Sequence, residues 1–99
     1  MSQIPLETTD RILAATDIVA LIGSYIEVKR AGPVHKALCP FHDEESPSFI
    51  ISPARQHFHC FGCGKAGDAL TFVREIDHLT LPEALQKLAE RAGITIPKS

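Results

Sequence analysis

The feature that most constrains this chain is a pair of short hooks, Cys39-Pro40-Phe41-His42 and Cys60-Phe61-Gly62-Cys63, with seventeen residues between them. Two residues between ligands let a tight turn aim both side chains at one cation while backbone N–H groups point at the sulfurs. Three thiolates and one imidazole complete the four-coordinate tetrahedral shell that Zn²⁺ prefers, leaving no position open for a reacting water. The spacing therefore predicts one structural zinc ion on Cys39, His42, Cys60 and Cys63. The hooks use all three cysteines, which argues against buried, inert thiols. A redox Cys60/Cys63 pair would follow a strand and open a helix in a thioredoxin-like unit, and that context is missing. His59 adjoins Cys60, but a strand neighbour points to the opposite face, so His42 is the expected fourth ligand.

A metal staple suits a chain of 99 residues, which can bury only part of its unfolded surface. With 44% apolar and 22% charged residues the composition is that of a folded protein. No apolar run reaches the ~20 residues that span a bilayer, and the start MSQIPLETTD lacks the basic flank and apolar core of a signal peptide. A cytoplasmic protein with no membrane partner is expected. The formal charge of −2 speaks against a general nucleic-acid binder, but its distribution is uneven. Residues 24–67 hold five Lys/Arg, four Asp/Glu and four of the five histidines, while the flanks hold five basic and eight acidic residues.

The expected architecture is α+β in one domain over 1–99, with a zinc ribbon on a small antiparallel sheet (25–64) between helical segments (5–22 and 68–93). Pro5 stands near a first helical position, with Glu7 favourable to the dipole. Ile12, Leu13 and Ala15 give that helix its apolar side. Thr16 or Asp17 caps a second piece, Ile18 to Ile22, which Gly23 ends. Tyr25-Ile26-Glu27-Val28-Lys29 alternates like a strand, turning at Ala31-Gly32-Pro33 into Val34 to Leu38. Phe49-Ile50-Ile51 and Gln56-His57-Phe58-His59 form a second hairpin around 52–55. Asp68 caps Ala69 to Ile76. Thr80-Leu81-Pro82-Glu83 is a capping box for a helix that buries Ala84, Leu85, Leu88, Ala89 and Ala92 and closes at Gly93.

The runs CPFHDEESPSF (39–49) and FHCFGCGKAGDALTF (58–72) resemble the N-terminal Cys-His-Cys-Cys zinc domain of bacterial and phage DNA primases. Ile4-Pro5, Asp17-Ile18-Val19, Ile22, Lys29 and Gly32 are similar to its leading segment, and Glu83-Ala84, Leu88-Ala89 and Gly93 to its trailing helix. The resemblance implies a zinc ribbon that binds single-stranded template DNA and helps choose primer start sites in replication. It also implies a downstream nucleotidyltransferase domain with Mg²⁺-binding acidic residues, so this chain alone should make no RNA. The start at Met1 and the stop at Pro97-Lys98-Ser99 point to an N-terminal piece of a longer primase. Pro33, Val34 and His35 after Gly32, and Glu45 before the Ser-Pro-Ser-Phe run, depart from the family's basic and aromatic pattern at plausible DNA-facing positions.

Single-strand binding needs cations for phosphates and flat groups for bases. Lys29, Arg30, Arg55, His57 and Lys65 are the expected DNA contacts, with Lys36 a further cation. Phe49, Phe58, Phe61, His35 and His57 are candidate stacking groups. Core packing outweighs stacking at Phe41, Phe49 and Phe58, whereas Phe61 is balanced between the two. The competing function is a zinc-stabilised interaction domain that docks onto a catalytic domain or a replicative helicase.

Overall fold

In the computed structural model, which describes residues 6–41 and 47–96, a five-stranded antiparallel sheet carries four helices on one face. The elements run α1 (Leu6–Ala14), α2 (Ile18–Gly23), β1 (Lys29–Ala31), β2 (Val34–Ala37), β3 (Phe49–Ser52), β4 (His57–Cys60), β5 (Ala66–Gly67), α3 (Ala69–Asp77) and α4 (Leu81–Ala92). The strands lie in sequence order, β1-β2-β3-β4-β5. The α+β expectation holds. Among the described residues no helix is long and apolar enough to cross a membrane.

The ends of the elements follow from local chemistry. Asp17 caps α2, accepting from the amides of Val19 and Ala20. Thr16 does not share that role, because its hydroxyl donates to the Ile12 carbonyl at 2.7 Å. Asp68 caps α3 through the Thr71 amide. At α4 the Thr80–Glu83 capping box forms with both partners in place. Hydrogen bonding from the Thr80 amide and hydroxyl holds the Glu83 carboxyl below its usual range. Gly93, at φ 74°, closes α4 in the left-handed region. The β1–β2 hairpin turns on Gly32-Pro33, closed by the Ala31–Val34 pair. Gly32 takes φ 68°, the sign a two-residue hairpin loop requires at its first central position.

The segment expected to begin the first strand behaves differently. Tyr25 to Val28 is not strand, and β1 starts only at Lys29. The amides of Tyr25 and Ile26 both donate to the Ile22 carbonyl, continuing the end of α2. The Tyr25 ring then packs edge-on against Phe72, 5.5 Å between centroids, and its hydroxyl donates to Asp77 at 2.7 Å. Lys87 of α4 also pairs with Asp77, so three segments meet at one carboxylate. Ala92 is half-buried, unlike the other apolar residues expected on its face.

The core lies where the sheet meets the helices. Phe49, Ile51, Phe58 and Cys60 point from the sheet into a cluster with Ile18, Leu21, Ile22, Phe72, Val73, Leu85 and Leu88. Phe49 and Phe58 stack at 5.1 Å, and Phe72 meets both from α3. The tip of the β3–β4 hairpin is tied to α2 by Gln56, which adopts φ 52°. Its side-chain carbonyl accepts from the Ile18 amide at 2.8 Å, and its amide group donates to the Pro53 carbonyl.

At the other end of the sheet, α3 passes so near β5 that Gly67 has no room for a side chain. A Cβ there would lie 2.5 Å from Thr71 Cβ. Gly67→Ala is expected to destabilise the protein by about 1–3 kcal/mol, the usual cost of overpacking. Thermal unfolding measures it, and adding Thr71→Ala should recover little of the loss, because alanine keeps the Cβ that the new methyl meets.

Candidate metal centre and the open face of the sheet

The strand pleat carries the two hooks toward one point. Ala37 and Cys39 are buried while Leu38 between them is 51% exposed, so the alternation of β2 runs past its end and aims Cys39 inward. Phe58 and Cys60 likewise face the core from β4. After Cys60 the chain turns back at once: the Gly64 amide donates to the Cys60 carbonyl, and the Cys60 amide to the Lys65 carbonyl, each at 2.8 Å. Gly64 sits at φ 82°, which this turn needs. Residues 66–67 can then pair with β4 as the short β5, a strand too brief to show in the sequence pattern.

The result is three thiols in a cluster. The sulfurs of Cys39, Cys60 and Cys63 all lie within 4.8 Å of one another. Cys39 and Cys63 approach to 3.8 Å. With Zn–S bonds of about 2.3 Å, tetrahedrally placed sulfurs stand about 3.8 Å apart, so this edge has the dimension a zinc ion needs. Donors already face the sulfurs. The Phe41 amide reaches Cys39 Sγ at 3.4 Å, and Ser48 Oγ lies 3.6 Å from Cys60 Sγ.

The electrostatics differ between thiols. Burial pushes the Cys39 thiol up to about 12. At Cys60 burial also acts upward, but hydrogen bonds from the Ser48 hydroxyl and the Cys63 and Gly62 amides outweigh it, bringing the thiol down to about 7. A coordinated divalent cation deprotonates its thiol ligands outright, and the amides that stabilise a thiolate at Cys60 are ready for that charge. The donor set suits zinc. His42, the expected fourth ligand, lies outside the described residues. Ser48 was not foreseen as a partner, although its place one residue before β3 puts it beside the end of β4.

The same alternation fills the opposite face. The ladder pairs Lys29 with Lys36, Lys36 with Ile50, Ile50 with His59, and His59 with Ala66, so these five residues form one row across the sheet. His57 shares that open side of β4 with His59. Phe61 stacks on His59, with ring centroids 4.3 Å apart and planes at 23°, and is 70% exposed. Phe49 and Phe58, by contrast, are sealed in the core and offer no ring to a ligand.

The expected DNA contacts divide accordingly. Lys29 and His57 stand on the open face. Arg30 pairs with His35 and alternates to the helix side of the edge strand, though it is exposed. Arg55 is exposed in the β3–β4 turn. Lys65 is engaged with Glu75 at 3.0 Å, and its ammonium lies 5.6 Å above the Phe41 ring. Lys36 and His59 share the face of Lys29, a relation set by hairpin register that linear order does not reveal.

Comparison with known proteins agrees with this geometry. The model of the CHC2 zinc finger family matches residues 4–99. DNA primases from Halalkalibacterium halodurans, Pseudomonas aeruginosa and Streptomyces coelicolor are 45%, 46% and 50% identical over 97%, 96% and 91% of this chain. The chain spans only 14–16% of their length. The crystal structure of the Aquifex aeolicus primase zinc binding and RNA polymerase domains superposes with a TM-score of 0.87 and 38% identity, covering 91% of this chain and 22% of that one. With three thiols gathered at the dimension of a zinc site and a family model matched along nearly the whole chain, the protein belongs to the CHC2 zinc-finger family of DNA primase zinc-binding domains.

Proposed function

We propose that this chain is the template-binding part of a DNA primase, with one Zn²⁺ held by Cys39, His42, Cys60 and Cys63 in a structural role. The ion pins the segment that leaves β2 to the turn after β4, so that the open face of the sheet keeps its shape. Single-stranded DNA lies on that face, and the chain acts in the cytoplasm beside a primase catalytic domain and the replicative helicase in starting primers. In the Aquifex protein a zinc-binding domain accompanies an RNA polymerase domain, and nucleotidyl transfer is assigned to such a domain here.

The observation that carries this reading is the charge of the sheet. Its strands contain Lys29, Arg30, Lys36 and three histidines, and no Asp or Glu. The four helices with the caps Asp17 and Asp68 hold eight carboxylates against four basic side chains. The overall charge of −2 thus hides, among the described residues, basic strands beneath acidic helices, and the strands are the side that favours a polyanion. The exposed Leu38 and Phe61 on the same face suit the competing reading, a protein-docking surface. Titration with a short labelled oligonucleotide at low salt separates the two, since a docking surface alone would leave its anisotropy flat.

Zinc ligation supplies ~10–16 kcal/mol in small zinc modules, as much as the ~5–15 kcal/mol net stability of a whole domain. Chelation with phenanthroline is therefore expected to abolish the strand signal in circular dichroism and lower the melting point. Because the Cys39 thiol sits at about 12, it stays protonated across the working range until the metal displaces its proton. Zinc affinity should fall at least about tenfold for each unit drop in pH between 8 and 6, as competition with a chromogenic chelator would record. For DNA, each phosphate contact adds about 0.7 to the salt slope of single-strand binding. Lys36→Ala and Arg55→Ala are each expected to flatten the slope by that amount in fluorescence anisotropy. An unchanged slope removes that residue from the phosphate contacts.

A further inference from the structure

We infer that the stacked pair His59–Phe61 is a base platform, on which one unpaired nucleobase of the bound strand lies flat against the free side of the Phe61 ring. This rests on the template-binding reading above and assigns a part of that surface to one nucleotide.

The geometry gives four reasons. First, a phenyl ring 70% exposed at the surface of a small domain leaves apolar area in water that a planar ligand would cover. Three of the other four phenylalanines are fully buried and Phe41 is half-buried against them, so the position of Phe61 is an exception to how this chain treats that side chain. Second, the ring is held. His59 lies against one side at 4.3 Å, the Phe61 amide donates to the Ser48 carbonyl at 2.9 Å, and the residue stands between Cys60 and Cys63 of the thiol cluster. A platform fixed beforehand loses little side-chain freedom when a base settles on it. Third, the imidazole beneath presents its own face to the phenyl, so a base arriving above continues an existing stack. Every base has a π-face, and stacking of this kind tolerates any sequence.

Fourth, cations stand at a useful distance along the same row. Lys36 lies two strands from His59 and Lys29 three, roughly 10 Å and 14 Å at about 4.8 Å per strand. Neither lysine can reach around the base itself, and both can hold phosphates of neighbouring nucleotides. Between them the row offers only Ile50 and a neutral backbone surface. A chain crossing the strands would therefore be gripped by its backbone at the β1–β2 edge and by a base at the β4 end. A protein partner would find the same phenyl, but no acidic residue on the strands to pair with its own cations, and the lysines favour a ligand with regular negative charge.

The test is an abasic scan of a short labelled single strand, combined with substitutions at Phe61 and read by fluorescence anisotropy at low salt. For the wild-type chain, one abasic position at a time should weaken binding about tenfold when it removes the stacked base. Loss of a base stacked on an aromatic ring accounts for a factor of this size, so Phe61→Ala and Phe61→Leu should each lose a similar factor on the intact strand and lose nothing further from the abasic position. Phe61→Trp should bind at least as tightly as wild type. Zinc content and melting point, expected to be unchanged in Phe61→Leu, separate the stacking loss from damage to the fold. If Phe61→Ala and Phe61→Leu bind the intact strand as wild type does, the platform is wrong while template binding stands. If the wild-type chain itself fails to bind any single strand at low salt, the template reading falls and the platform falls with it. A Phe61→Leu variant that loses affinity for a purified primase catalytic domain, yet keeps its affinity for DNA, would assign the ring to a protein interface and overturn the proposal.

Discussion

Cys60 closes β4 on the side of the pleat that faces the helices, and a turn of three residues brings Cys63 round until its sulfur lies 3.8 Å from that of Cys39, at the end of another hairpin. Cys39 and Cys60 borrow their direction from strand alternation, so the thiol cluster is an extension of the sheet. The converse also holds. If Cys60 is to face inward, His59 must face outward, and the tight return at Gly64 leaves Phe61 on the outer side as well. Ligands and open-face residues are interleaved along one stretch of five residues. A register slip of one position in β4 would exchange them.

Beneath the thiols lies an aromatic layer that couples the sheet to the helices. Phe49 and Phe58 stack from neighbouring strands, Phe41 and Phe72 meet them from the first hook and from α3, and Tyr25 touches Phe72 from the end of α2. Burial of such rings contributes several kcal/mol each. Tyr25 shows how this layer can overrule a local pattern. Its neighbours alternate like a strand, but its hydroxyl and ring are worth more against Asp77 and Phe72 than another rung would be at the sheet edge.

Much of this was legible in the sequence where the signal is short-range and chemical. The three cysteines of the hooks, the caps at Asp17 and Asp68, the Thr80–Glu83 box and the stop at Gly93 each need only a few consecutive residues, and each stands where expected. The outward histidines beside an inward Phe58 followed from alternation alone. What escaped depends on pairing between distant segments. That Lys36 stands beside Lys29, that Arg30 turns to the other side, and that Glu75 engages Lys65 are matters of register and helix placement. Gln56 escaped because a glutamine at positive φ is uncommon, and nothing in linear order announces its bond to Ile18, 38 residues away. Net charge says little for a related reason: a sum over the chain is blind to which face each charge occupies.

The separation of charge between strands and helices has a dynamic consequence. A body with a positive side and a negative side carries a dipole moment even when its total charge would repel a polyanion. Within a screening length of ~8–10 Å, the field of a phosphodiester chain exerts a torque on such a body and turns the strands toward the polymer before any contact forms. Encounters would then be oriented in advance, and added electrolyte would slow association by removing that alignment while leaving contacts between flat, uncharged rings nearly untouched.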